Sequence, residues 1–210
     1  MLEAAGVVVF ALTGALVAAR KRMDPFGFIL LATVTGVGGG TLRDLLLDQR
    51  VFWIEAPSDV MLCTAVALAA WAIAYMKPGT LDGWGAKRLL IWADAAGLAL
   101  FAVVGAQKGL AAGVPIPSAI AFGAMTATFG GIIRDLLAGD RPMVLWSRDF
   151  YVTAAAAGAA TTVGLAQMCL APMPIMLGGL AAGFGLLAGS LLFGWSFPKL
   201  PGDDAPKPSN

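Results

Sequence analysis

The chain has 210 residues, of which 59% are hydrophobic and only 13% charged, with a mean hydropathy of +0.81 and a net charge of +1. Soluble domains run nearer half apolar and a quarter charged, so these figures exclude an ordinary soluble protein and leave a bilayer as the solvent. Histidine is absent, which removes imidazole catalysis, and a charge of +1 provides no whole-molecule field for nucleic acid.

A membrane-spanning helix needs about 20 mostly apolar residues, and the charges punctuate this chain at that spacing. The first span, 2–20, starts beside Met1 and ends in Arg20, Lys21 and Arg22, the reverse of a secretory leader's order, so it reads as a span. Glu3 opens it, where a carboxylate suits the positive helix end. Span two, 26–47, carries Thr35, then Gly36-Val37-Gly38-Gly39-Gly40, Thr41 and Arg43-Asp44. Span three is 59–77. Span four, 88–108, has Asp94 near its start, read like Glu3 as a helix-start carboxylate, and ends at Lys108, either a solvated helix-end lysine or a gate charge. Span five, 117–138, holds Thr126, Phe129-Gly130-Gly131 and Arg134-Asp135. The uncharged stretch 150–198 is divided by Pro172 and Pro174 into span six, 149–170, and span seven, 174–196. Cys63 and Cys169 lie in apolar stretches and read as small hydrophobes. The sequence therefore predicts an all-α integral membrane protein with one transmembrane domain, 1–198, and a disordered cytoplasmic tail, 199–210, that is too polar and Pro-rich to pack.

Seven spans put the termini on opposite sides. Arg20, Lys21, Arg22, Lys77, Lys87, Arg88, Arg134, Arg141, Arg148, Lys199 and Lys207 gather on one side, against Arg43, Arg50 and Lys108 on the other, which predicts an outside N-terminus and a cytoplasmic C-terminus. The chain also matches itself at an offset of 91 residues without a gap. Glu3-Ala4-Ala5-Gly6 meets Asp94-Ala95-Ala96-Gly97, Phe10-Ala11 meets Phe101-Ala102, Thr35 meets Thr126, and Arg43-Asp44-Leu45-Leu46 meets Arg134-Asp135-Leu136-Leu137. Three spans per copy is an odd number, so the second copy enters from the opposite side. The expected architecture is an inverted 3+3 repeat, about 1–80 and about 87–170, plus a seventh helix at about 174–196.

Consecutive glycines in the middle of a span cost roughly 0.8–1 kcal/mol each relative to Ala and should break or kink the helix, freeing carbonyls that are tolerated at this depth only along protein or a water-filled path. That reading makes Gly38, Gly39, Gly40, Gly130 and Gly131 hinge and path residues, with Thr35, Thr41 and Thr126 as added hydroxyls; the alternative is plain close packing. For Arg43-Asp44 and Arg134-Asp135 two readings stand. In one, the Asp attracts a cation while the Arg tunes passage; in the other, each Arg snorkels to the interface and pairs with an Asp as a cap.

At these residues the chain resembles the TRIC family of trimeric intracellular cation channels, in its prokaryotic branch. The doubled signature stands as Gly39-Gly40-Thr41-Leu42-Arg43-Asp44 and Gly130-Gly131-Ile132-Ile133-Arg134-Asp135, each followed by a tryptophan, Trp53 and Trp146. The resemblance spans 1–196. It implies a homotrimer in a bacterial or archaeal inner membrane, with a pore in each protomer lined by spans two and five and permeable to K⁺ and Na⁺. It implies no catalysis, no metal and no cofactor, and membrane lipids as partners. The same resemblance leaves a second reading, a carrier for a small zwitterion such as glycine.

Overall fold

Apolar runs of about 20 residues leave the backbone no partner in hydrocarbon except itself, and this chain answers with helices. In the computed structural model, residues 2–81, 83–146, 150–168 and 170–196 are described, and no strand occurs among them. The elements are α1 (Leu2–Arg20), α2 (Pro25–Leu46), α3 (Phe52–Glu55), α4 (Ser58–Met76), α5 (Trp84–Ala111), α6 (Ile116–Leu137), α7 (Met143–Trp146), α8 (Tyr151–Gln167) and α9 (Pro172–Phe193). Six of them, α1, α2, α4, α5, α6 and α9, are long and apolar enough to cross a membrane; α8 has 17 residues. The tail 199–210, Arg148 and Cys169 lie outside the described residues, as does the side chain of Trp146.

Local chemistry sets the boundaries. Asp24 caps α2 by accepting a hydrogen bond from the Gly27 amide at 2.7 Å, and Pro25 follows at the first helical position. Pro172 opens α9 in the same way, so the tight turn expected between spans six and seven falls between Gln167 and Pro172. The last turns of α1 and α5 close identically: Met23 N donates to Ala18 O and Val114 N to Gly109 O, with Arg22 (φ 52°) and Gly113 (φ 74°) in the left-handed region. The same closure ends α2 and α6 at Asp48 (φ 53°) and Gly139 (φ 71°). Each pair of positions is 91 residues apart.

Two sequence expectations change here. Span four starts at Trp84, so Asp94 lies about ten residues inside α5, buried, and not at a helix start. The glycine clusters do not break their helices either: α2 and α6 are each continuous through Gly36–Gly40 and Gly130–Gly131.

The reason lies in the packing at the centre. Helices α1 and α5 run antiparallel, with Glu3 beside Lys108 and the Phe10 and Phe101 rings 5.1 Å apart between centroids. Each of those rings occupies the space over the other helix's glycine, Phe101 over Gly6 and Phe10 over Gly97. Helices α2 and α6 cross at the glycines: a Cβ on Gly39 would collide with the Thr126 carbonyl oxygen, and one on Gly130 would stand 2.5 Å from the Thr35 carbonyl oxygen. These glycines bring two backbones into contact, and that contact supports the helices where propensity alone would let them bend. Around this centre, α4 packs on α1 and α2, and the α8–α9 pair packs on α5 and α6.

Candidate functional site: two arginine clamps

The chain has 14 basic and 13 acidic residues, and it buries two of its arginines completely. Arg43, at the end of α2, is 0% exposed, and Arg134, at the end of α6, is 1% exposed. Each pairs with its neighbouring aspartate, as the second reading has it, and a buried charge is tolerated only with partners, which other helices also bring close enough to supply.

Arg43 sits in a cluster at one end of the bundle. Its Nε donates to Asp44 Oδ1 at 2.7 Å and its Nη2 to Glu3 Oε1 at 2.8 Å. Lys108 Nζ shares that same Glu3 oxygen at 3.0 Å, lies 3.8 Å from Asp44 Oδ1, and stands 5.2 Å from the Phe52 ring centroid. Lys108 is thus an ion-paired member of the cluster and not a freely solvated helix end. Asp44 spends its second oxygen, Oδ2, accepting from the Phe52 amide at 3.0 Å, which ties down α3. Arg43 Nη1 is buried and has no hydrogen-bond partner among the described residues.

Arg134 builds the counterpart. Its Nε donates to Asp135 Oδ1 at 2.8 Å, while Nη1 and Nη2 engage both oxygens of Asp94 at 2.6 and 3.0 Å. Nη1 also donates to Thr13 Oγ1 at 2.9 Å, and that hydroxyl in turn donates to the Phe10 carbonyl at 2.8 Å. Asp135 Oδ2 accepts from the Met143 amide at 2.9 Å, tying down α7 as Asp44 ties down α3. Along α1, Glu3 and Thr13 are ten residues apart, so the two clamps are separated by about 15 Å along the bundle.

The remaining sequence candidates are placed as follows. Thr35 and Thr126, at the α2–α6 crossing, donate back to the Leu31 and Phe122 carbonyls at 2.5 and 2.6 Å. Thr41 donates to Val37 O and accepts from Trp53 Nε1, both at 2.8 Å. Gly40 makes room for the Phe52 ring beneath Arg43, Gly38 faces Ile133, and a Cβ on Gly131 would meet, among the described residues and beyond the helix's own backbone, Arg134 Nη2 at 3.7 Å. Sequence reasoning missed Glu3, Asp94 and Thr13 as clamp partners. The signal was present, because Glu3 and Asp94 each precede their arginine by 40 residues; reading them as helix caps hid it.

Comparison with known proteins places this geometry. A sequence-family model described as glycine transporter matches residues 1–75 and 91–167. The chain is similar to the UPF0126 inner membrane protein YadS of Escherichia coli, at 39% identity over 158 residues, covering 75% of this chain and 73% of that protein. It is also similar to the UPF0126 membrane protein YvgT of Bacillus subtilis, at 35% identity over 168 residues, 78% of this chain and 79% of that one. Among solved structures it resembles the TRIC trimeric intracellular cation channel orthologue from Rhodobacter sphaeroides, at 46% identity and a TM-score of 0.85, covering 92% of this chain and 97% of that one. A second structure, described in terms of conductance through TRIC cation channels, aligns at 26% identity and a TM-score of 0.81 over 95% of both chains.

Proposed function

We propose a channel function on this premise: the chain belongs to the TRIC family of trimeric intracellular cation channels and, by sequence, to the family described as glycine transporter. Its fold is the TRIC channel fold, and it is an integral inner-membrane protein. It works as a homotrimer in which each protomer passes monovalent cations, K⁺ foremost, between α2 and α6. The observation that carries this reading is the 46%-identical channel neighbour that covers 92% of the chain.

The architecture we assign is an inverted 3+3 repeat with α9 appended. What supports it is reciprocity: antiparallel α1 and α5, the exchanged Gly6/Phe101 and Gly97/Phe10 contacts, and the Gly39–Thr126 and Gly130–Thr35 crossing. Helix α8 serves as the sixth span of this scheme, the third helix of the second copy, its 17 residues reaching about 26 Å. The N-terminus then lies outside and the C-terminus inside, as the lysine and arginine distribution favours.

With α2 and α6 unbroken, no carbonyl is freed for a cation, so carboxylates become the ion ligands of this reading. The glycine crossing is the closed waist of the path. Asp44 and Asp135, each now occupied by its neighbouring arginine, are the groups that draw cations when a clamp loosens, and Lys108 is a gate charge on the Glu3–Asp44 side. No cofactor is assigned, and lipids are the surrounding partners. Purified protein in planar bilayers should give unitary currents whose reversal potential follows the K⁺ gradient; no cation current over a wide voltage range would overturn the channel.

The family description favours one second reading, a carrier for glycine or a similar zwitterion, whose carboxylate and ammonium suit the Arg/Lys and Glu/Asp groups. Counterflow of labelled glycine in proteoliposomes tests it, and its absence removes the carrier.

A further inference from the structure

The two clamps match position for position, yet they are not equally complete. Arg134 uses all three of its nitrogens, and its Nη1 has two acceptors, Asp94 and Thr13. Arg43 leaves Nη1 with none among the described residues. The offset of 91 residues explains the difference. The position that matches Thr13 is Val104, one turn before Lys108 on α5, and it is buried and has no hydroxyl. The residue that matches Phe10, whose carbonyl orients the Thr13 hydroxyl, is Phe101, the same residue type in the same contact. The backbone acceptor that would orient a hydroxyl at 104 is therefore present, and only the hydroxyl is missing.

Water contact follows the same asymmetry. Asp94 is buried at 1% side-chain exposure, whereas Glu3 is 23% exposed and Lys108 31%. Glu3 also offers one oxygen to two cations, Arg43 and Lys108, where Asp94 gives both oxygens to a single arginine. A bidentate, fully desolvated pair is the stronger and more rigid arrangement.

We infer that Thr13 and Val104 are positioning residues that set the order in which the clamps yield: Thr13 completes the Arg134 clamp, which opens last, and Val104 keeps the Arg43 clamp one hydrogen bond short, so that this end of the path opens first. This rests on the inverted-repeat reading and holds for a channel or a carrier, since either must open both ends to pass a solute.

Hydrogen exchange of the full-length protein in nanodiscs reads it directly. In the wild type the segment 43–52 exchanges faster than its match, 134–143. Val104→Thr gives Arg43 Nη1 its missing acceptor and slows exchange of 43–52 on the order of tenfold, the equilibrium effect of one charge-assisted hydrogen bond, while 134–143 is unchanged. Thr13→Val speeds 134–143 and leaves 43–52 alone. Transport of K⁺ or of labelled glycine, whichever the wild type carries, falls several-fold in Val104→Thr. Equal exchange of the two segments in the wild type, or a Val104→Thr protein with slowed 43–52 exchange and unaltered transport, overturns the inference. The melting temperature separates the premise: Thr is nearly isosteric with Val, so an unchanged or higher value shows that its hydroxyl has found Arg43. A lower value means that the hydroxyl is stranded, which overturns the repeat register and the inference with it. Lack of K⁺ current in the wild type would remove the channel while leaving these exchange results standing.

Discussion

A guanidinium out of water needs its charge balanced and its donors filled, and the arginines of this protein show how unequal two solutions of that problem can be. Arg134 meets Asp94 through two parallel hydrogen bonds with both partners at 1% side-chain exposure. Replacing Asp94 with Asn breaks this bidentate pair and leaves the buried Arg134 with Asp135 as its one carboxylate, and we expect a loss of up to about 3–5 kcal/mol in unfolding free energy, measured by denaturation in detergent micelles. Glu3→Gln should cost clearly less, because Glu3 touches water and gives Arg43 a single oxygen where Asp94 gives Arg134 two. Similar losses for the two variants would contradict the ranking. Lys108→Glu places a third carboxylate beside Glu3 and Asp44; the double variant Glu3→Lys with Lys108→Glu should recover stability that the single change loses. By contrast, the Lys21–Asp140 pair, at 35% and 41% side-chain exposure, is screened by water, and Lys21→Ala should change stability by under about 1 kcal/mol.

At the scale of elements, the glycine clusters and the helix ends carry the argument. Consecutive glycines in the sequence predicted a break or a kink; α2 and α6 are not broken, and each presses a glycine onto the other's backbone. This contact separates residues that look alike in sequence. Gly130→Ala forces a methyl against the Thr35 carbonyl and the Phe10 ring, and should cost about 1–3 kcal/mol while altering transport. Gly131→Ala, one residue on, meets nothing nearer than 3.7 Å and should be neutral or stabilising by up to about 1 kcal/mol through helix propensity. Thermal unfolding of the two variants side by side checks this, and equal behaviour would mean that the crossing is not what constrains α6. The sequence made the cluster visible but not this distinction, since which face of α6 meets α2 is set by the helix crossing and not by neighbours along the chain.

For the whole molecule, the two clamps lie about 15 Å apart along the bundle with the α2–α6 glycine crossing between them, and in the function we propose they close the two ends of the path. If the lysine and arginine distribution sets the orientation, a cysteine at Lys108 should react with a membrane-impermeant maleimide added outside intact cells, and one at Arg22 only after permeabilisation. The reverse labelling would invert the topology without disturbing the clamps. Chemical cross-linking of the protein in native membranes should stop at the trimer.

Much of this was legible beforehand because the bilayer leaves the backbone few choices. Twenty apolar residues between charges must be a helix, so the sequence alone determined the membrane class, the span boundaries to within a few residues at most ends, and the 91-residue duplication. It also marked Arg43, Asp44, Arg134 and Asp135 as exceptional. Tertiary structure alone decided who meets them: Glu3 and Lys108 at one end, Asp94 and Thr13 at the other, brought from helices 40 or more residues away. The physical reason is that a buried charge is answered by whatever partner the packing brings within about 3 Å, and antiparallel packing of two like helices turns sequence positions that are far apart into neighbours.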